Sequence, residues 1–320
     1  MPSLSSLPSV VLAAGVSPVE ELTALRRALG GGPRLLIKRD DALTFAFGGN
    51  KVRKMQLVAG DALRAGADTL ITAGGVQSNH ARVTAAAAAK LGMRCILVVN
   101  GVPPESATAN ALLDRLLGAQ IRYVSDRAER TAAMEAAADD ERARGRRPYV
   151  IPIGASTPLG AAAFVDAVAE LHRQLASPPD VVVHATSSGG TQAGLVAGCR
   201  IHRLPTRVIG ISADEPSATL AAEIRRIMDG LPDLLGTHAD DLAGADIVVD
   251  DRFVGGGYGV PTDESRGAIE LLARTEAIFL DPTYTAKAMA GLIARIRSRE
   301  LTDDQTVLFW HTGGQVGLFA

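Results

Sequence analysis

Cysteine, aromatic residues and net charge are all scarce in this sequence of 320 residues. It carries two cysteines and one tryptophan, and aromatics make up 4% of it. Two cysteines do not build a disulfide scaffold in a chain of this length. Cys95 sits in the apolar run Cys95-Ile96-Leu97-Val98-Val99, and Cys199 follows small residues, so both read as buried, reduced and inert. The 33 basic and 35 acidic residues leave a balance of −2, which excludes the clustered basic excess of a nucleic-acid surface. No segment reaches the ~18 uninterrupted apolar residues of a membrane span. The early run Val10–Ala14 is too short for a signal core and has no basic segment before it. These absences point to a soluble, cytoplasmic chain that handles small molecules. None of the six histidines has ligand spacing such as H-E-x-x-H, so no metal site is expected. A G-x-S-x-G nucleophile elbow is also missing.

What is present is a regular alternation. Short apolar runs read as strands at Leu35–Lys38, Thr69–Thr72, Arg94–Asn100, Gln120–Val124, Tyr149–Ile151, Val181–His184, Arg207–Ser212, Asp246–Val249 and Thr306–Trp310. Several, such as Val181-Val182-Val183, are apolar without alternation, as strands covered on both faces are. Between them lie helix candidates at Ser78–Leu91, Ala109–Leu117, Ala128–Arg144, Leu159–Leu175, Thr191–His202 and Thr285–Ser298. Strand–helix alternation implies parallel strands in an α/β fold, with ligands at the strands' carboxyl ends. Two glycine- and proline-bearing stretches, Phe45–Asn50 and Pro152–Pro158, read as hinges. They divide the chain into a small domain, 48–158, inserted into a large one made of 1–47 and 159–320. Chemistry then belongs in the cleft between them.

Three segments have the composition of binding turns. In Phe47-Gly48-Gly49-Asn50-Lys51, the glycines permit a sharp turn, Asn50 is a suitable helix N-cap, and Lys51 falls in the first helical turn. A cation is disfavoured there, which keeps the amine neutral and ready to attack a carbonyl. A lone lysine can equally be a solvated surface residue, as Arg53 and Lys54 beside it read. In Gly74-Gly75-Val76-Gln77-Ser78-Asn79-His80, backbone N–H groups and the Ser78 and Asn79 side chains form an anion site suited to a carboxylate, or simply cap a helix. His80 reads as a structural histidine. In Thr186-Ser187-Ser188-Gly189-Gly190-Thr191, hydroxyls and N–H groups at a helix start suit a terminal phosphate. The loop lacks the Gly-Lys-Ser/Thr of a P-loop. Its glycine spacing is wrong for a dinucleotide fingerprint, although Asp214 lies about 20 residues on, as that motif asks. Tyr258, flanked by glycines, and Tyr284, in Asp281-Pro282-Thr283-Tyr284-Thr285, face a cleft as site or as packing residues.

Together these segments resemble the fold-type II pyridoxal-phosphate enzymes, in particular the D-cysteine desulfhydrase and 1-aminocyclopropane-1-carboxylate (ACC) deaminase family. The motifs that carry the resemblance occur in family order: Lys38-Arg39-Asp40-Asp41, Gly48-Gly49-Asn50-Lys51, Gly74 to His80, Ser187 to Thr191, Asp281-Pro282-Thr283-Tyr284, and His311-Thr312-Gly313-Gly314. The resemblance implies a tryptophan-synthase-β-like fold: two open, twisted, mostly parallel sheets flanked by helices, with pyridoxal 5'-phosphate in the interdomain cleft. It makes Lys51 the lysine that holds the cofactor and the base at Cα. Asn50 would hold the ring's 3-oxygen, and Ser187, Ser188, Gly189, Gly190 and Thr191 its phosphate. Ser78 and Asn79 would take the substrate carboxylate, with Gln77 close by. Tyr258 and Tyr284 would line the substrate side, and Ser78 and the tyrosines would share in catalysis. Thr285 would face the ring nitrogen, where ACC deaminases carry glutamate. A hydroxyl there leaves the nitrogen neutral, which favours β-elimination with a good leaving group over cyclopropane opening. The resemblance thus implies a homodimeric lyase acting on a small amino acid, D-cysteine first, with ACC or L-cysteate as alternatives. β-Replacement shares the fold, and a non-catalytic binder of the cofactor or of amino acids is the reading of another class. Two segments depart from relatives: Ser17-Pro18-Val19-Glu20 replaces a Thr-Pro-Leu sequence, and Thr44-Phe45-Ala46-Phe47 adds bulk expected beside the cleft.

Overall fold

The alternation of strand and helix folds into two sheets in a computed structural model that describes residues 6–320. The strands are β1 (Val19–Glu21), β2 (Arg34–Arg39), β3 (Thr69–Gly75), β4 (Arg94–Asn100), β5 (Gln120–Val124), β6 (Pro148–Val150), β7 (Val181–Thr186), β8 (Arg207–Ser212), β9 (Val248–Asp250) and β10 (Thr306–His311). One sheet has six strands in the order β1-β2-β10-β7-β8-β9, parallel except for β1 against β2. The other is wholly parallel, in the order β5-β4-β3-β6. β1 was not expected from the sequence. It is three residues long and mostly exposed, so it carries no apolar run to betray it.

The helices are α1 (Thr23–Ala28), α2 (Asn50–Arg64), α3 (Asn79–Leu91), α4 (Ala109–Leu116), α5 (Arg130–Ala143), α6 (Pro158–Gln174), α7 (Gly190–Ile201), α8 (Ser217–Asp229), α9 (Leu231–Leu235), α10 (Asp263–Glu276) and α11 (Thr285–Arg297). Both faces of each sheet are covered. Leu36, Val182, Val208, Leu308 and Trp310 pack against α6, α7 and α8. Their strand neighbours Leu35, Ile37, Val183, Ile209 and Phe309 pack on the opposite face against α10 and α11. In the smaller sheet Leu70, Leu97 and Val99 meet α2 and α3, while Ile71, Ile96 and Val98 meet α5. This is why the middles of these strands carry consecutive apolar residues without alternation.

Helices α8 and α10 also lay outside the sequence reading. α8 buries Leu220, Ile224, Ile227 and Met228, a stripe at helical spacing diluted by charged residues. α10 starts with Thr262 and Ser265 capping one another, a start signal legible in the sequence but passed over. Both cysteines are buried as expected, and burial raises the thiol pKa of Cys199 to about 12 and that of Cys95 still higher. Among the described residues no helix is long and apolar enough to cross a membrane.

Candidate active site

The carboxyl ends of β3, β7, β8 and β10 converge on one cleft of about 1070 Å³, including its open mouth. Its wall includes Asn50, Lys51, Ser78, Asn79, Ser187, Ser188, Gly189, Thr191, Tyr258 and Tyr284. Ten of the predicted site residues, drawn from five separate stretches of chain, therefore share one surface. Three others do not reach the wall: Gln77, Gly190 and Thr285.

Lys51 is placed by the turn before it. Gly48 and Gly49 adopt φ of +68° and +101°, a region closed to most side chains. A Cβ on Gly49 would meet the Thr312 carbonyl oxygen at 2.9 Å, so the turn lies hard against the end of β10. The helix cap is Gly49 rather than Asn50, which is the first helical residue and donates from its side-chain Nδ2 to Thr191 Oγ1 at 2.9 Å. Lys51 follows, partly buried, with only a long 3.4 Å contact to the Gly154 carbonyl. Burial lowers its pKa to about 8. The direction is the expected one, but removal from water is the cause rather than the helix terminus.

Lys54 and Arg53 overturn their reading as solvated residues. Both are buried, Lys54 completely. Helical spacing turns position 54 to the side of the cleft that position 51 occupies, and only the tertiary fold shows what lies there. Lys54 Nζ donates to the Gly154 carbonyl at 3.1 Å and to Ser156 Oγ at 3.4 Å. A Cβ on Gly190 would lie 2.7 Å from that nitrogen and 2.8 Å from Ser156 Oγ. Gly190 is thus glycine because a buried amine sits directly beneath it, and burial beside Lys51 pushes the pKa of that amine well down. Ser156 Oγ in turn donates to Ser188 Oγ at 2.7 Å. The loop from Ser187 to Thr191 opens the twelve-residue helix α7, so N–H groups, hydroxyls and one lysine amine converge there. That donor set fits a phosphate dianion. Thr186 Oγ1, at the cleft's edge, is buried without a hydrogen-bond partner, as a wall shaped for a bound molecule leaves it.

Ser78 caps α3, accepting from Ala81 N–H at 3.2 Å, and its own proton remains free for the cleft. Gln77 is turned away: its amide accepts from Asn110 N–H at 2.9 Å and donates to the Thr108 carbonyl. His80 lies on the cleft wall, and its Nε2 is held by the fold. Thr72 gives its only hydroxyl proton to the Ile151 carbonyl, so His80 must donate from Nε2 to Thr72 Oγ1 at 2.9 Å. Burial, with Lys51 and Lys54 nearby, holds the ring neutral.

On the opposite wall the Tyr258 and Tyr284 rings meet edge to face with centroids 5.7 Å apart, and their hydroxyls are hydrogen-bonded. Burial pushes the pKa of both phenols up, that of Tyr284 furthest. Arg127 lies 5.3 Å over the Tyr258 ring and pairs with Asp214 at 2.7 Å, which accounts for that aspartate without a dinucleotide. Thr285 is fully buried. Its hydroxyl accepts from Asp281 N–H at 2.8 Å and donates to Asp281 Oδ1 at 2.7 Å, so its proton is already committed. The ring-nitrogen argument for β-elimination draws no support from this geometry. The expected bulk at Thr44–Phe47 also lies off the cleft: Phe45 packs beside α2 and α3, and Phe47 faces outward, 58% exposed.

The family model described as "Pyridoxal-phosphate dependent enzyme" matches residues 10–313. A crystal structure described as an ACC deaminase homologue superposes with a TM-score of 0.91 at 37% identity, covering 99% of this chain and 94% of that one. The processed form of threonine deaminase isoform 2 from Solanum lycopersicum gives 0.68 at 20% identity, over 94% of this chain and 80% of that one. An L-serine ammonia-lyase from the fungus Rhizomucor miehei gives 0.68 at 17% identity, over 97% and 96%. The last two share the fold. On the family match and the 37% identical relative, the chain belongs to the pyridoxal-phosphate dependent enzymes of fold type II, with pyridoxal 5'-phosphate as its cofactor.

Proposed function

We propose that the protein is a β-elimination lyase that converts D-cysteine to pyruvate, sulfide and ammonia. The observation that carries the reading is the hydrogen-bonded phenol pair Tyr258–Tyr284 on the same cleft as Lys51. Burial keeps both phenols protonated at neutral pH, so they form an acid ready for a departing thiolate.

When bound, the cofactor supplies an electron-withdrawing ring conjugated to the substrate's amino group. The chain's own residues do the rest. Asn50 would hold the ring's 3-oxygen, and Ser187 to Thr191, with the Lys54 amine, would hold the phosphate. Ser78 and Asn79 hold the substrate carboxylate. Lys51, neutral when released, removes the Cα proton. The Cβ–S bond breaks, its electron pair leaves with sulfur, and a phenol proton passes to the sulfide. The three-carbon remainder takes up water to give pyruvate and ammonia.

The test is to incubate the loaded protein with D-cysteine and assay pyruvate and sulfide together, with L-cysteine, ACC and L-cysteate in parallel. Equal release of both products from D-cysteine alone is expected. Silence with D-cysteine and turnover of another arm would refute the substrate. A β-sulfonate is the second reading, because two guanidiniums, Arg127 and Arg130, line the cleft mouth.

The lowered pKa of Lys51 predicts how the cofactor-free protein captures pyridoxal phosphate. Only the neutral amine attacks an aldehyde. Below pH 8 the neutral fraction rises about tenfold per unit, and above it the fraction saturates. The capture rate, followed by absorbance, should therefore rise with pH and level off near 8. A rate still climbing at pH 10 would show an ordinary solvated lysine.

A further inference from the structure

Arg82 is a buried arginine without an ion pair. It is 1% exposed, and among the described residues no carboxylate lies within ion-pair distance of it. Its guanidinium donates only to neutral oxygens: Asn79 Oδ1 at 2.9 Å, Asn110 Oδ1 at 2.7 Å and the Gly48 carbonyl at 3.1 Å. Its Nε has no partner among the described residues. A buried cation left without a counter-charge is costly. Burial accordingly lowers its pKa to about 10. The nearest carboxyl groups do little to offset it. Asp114, on α4, is itself driven up to about 7 by burial, and Asp281 is occupied by four donors of its own loop.

The arginine also decides which way one amide points. A guanidinium only donates, so the atom of Asn79 that faces it must be oxygen. Asn110 Nδ2 donates to the same oxygen at 3.0 Å. The Asn79 oxygen is therefore filled on the protein side, and its NH₂ is the free end. That end faces the turn after β10: a Cβ on Gly314 would meet Asn79 Nδ2 at 2.9 Å. Among the described residues the NH₂ has no acceptor, and Asn79 lies on the cleft wall beside Thr312 and Gly313.

We propose that Arg82 is the positioning residue for the substrate carboxylate: it locks the Asn79 amide with its N–H outward and supplies, through that amide, the charge that draws the carboxylate in. The same guanidinium grips the Gly48 carbonyl, so the carboxylate site is tied to the turn that places Lys51. This rests on the assignment of Ser78 and Asn79 to the carboxylate, and not on the leaving group.

The test separates those two readings by using amino acids that cannot undergo elimination. The loaded protein is titrated with D-alanine, L-alanine and ethylamine, followed by the cofactor's absorbance. The wild type should prefer one alanine enantiomer to ethylamine, which has no carboxylate. Arg82→Met should lower that preference about tenfold while ethylamine binding stays within about twofold. Arg82→Gln, neutral but able to donate to Asn79, is the companion should the methionine variant not fold; it keeps the lock and loses the charge, so a loss smaller than that of Arg82→Met is expected. Arg82→Lys should keep the preference within about threefold of wild type. Combined with Asn79→Ala, Arg82→Met should add nothing further, because it acts through that amide. A neutral variant with wild-type preference, or additive losses in the double variant, would overturn the proposal. A wild type indifferent to the carboxylate would overturn it together with the Ser78–Asn79 assignment. Failure on D-cysteine alone would touch only the substrate.

Discussion

Lys51→Ala is expected to fold normally and to lose turnover by about 10⁴-fold or more, since in the proposed reaction this one side chain would both capture the cofactor and move the Cα proton. The fold should tolerate the change. Lys51 is only partly buried, and among the described residues its only hydrogen-bond contact is the 3.4 Å approach to the Gly154 carbonyl, so truncation strands no strong hydrogen bond. The variant should still bind pyridoxal phosphate through the Ser187–Thr191 loop and Lys54, but it should release the cofactor on gel filtration. Added methylamine should restore part of the activity, because a small amine can occupy the vacated space. A Lys51→Ala protein with wild-type turnover would show that another amine does this work. Lys54, completely buried three residues on and electrostatically coupled to Lys51, would be the first to examine.

Much of this site was readable in the chain because it is built from local turns. Each segment pairs a strand end with small or hydroxylic residues and a helix start, and that pattern survives without knowledge of the fold. Its failures share a cause. Lys54 and Arg53 look like surface residues because a charged side chain carries no mark of what will cover it. Their burial depends on α6 and on the turn at Gly154, a hundred residues away. Gln77 and Thr285 were placed by the family resemblance, and in the structure each is held by a local partner, Asn110 and Asp281, off the cleft wall. Arg82 reads as one more helix arginine until Asn79, Asn110 and Gly48 meet around it. The two sheets were legible from apolar runs, whereas β1 and the amphipathic helices α8 and α10 lacked so plain a signal.

Arg53 shows what such hidden charges do for the whole molecule. It donates to both oxygens of Asp40, to both oxygens of Glu170 and to Ser17 Oγ, at 2.9 to 3.0 Å. Lys38 reaches Glu170 at 2.5 Å, and Trp310 Nε1 donates to Asp40 at 2.8 Å. Two cations and two carboxylates thus balance in a buried cluster joining α2, β2, α6 and β10. Arg53→Met would leave Asp40 and Glu170 buried against Lys38 alone. The expected cost is about 3–5 kcal/mol, a fall of about 4–8 °C in Tm by calorimetry. Because Arg53 stands two residues after Lys51 on α2, the variant should also capture pyridoxal phosphate more slowly at equal folded concentration. Acid should act on the wild type in the same direction. Burial alone would raise the Glu170 pKa, but Arg53 and Lys38 hold it down to about 2. A carboxylate depressed in the folded state stabilises above its unfolded pKa of 4.5, and that contribution is lost as pH falls from there toward 2. Arg53→Met should lose less stability than wild type over that interval, having already lost the partner. A variant within 1 kcal/mol of wild type, with an unchanged acid transition, would show that the cluster contributes nothing beyond its packing.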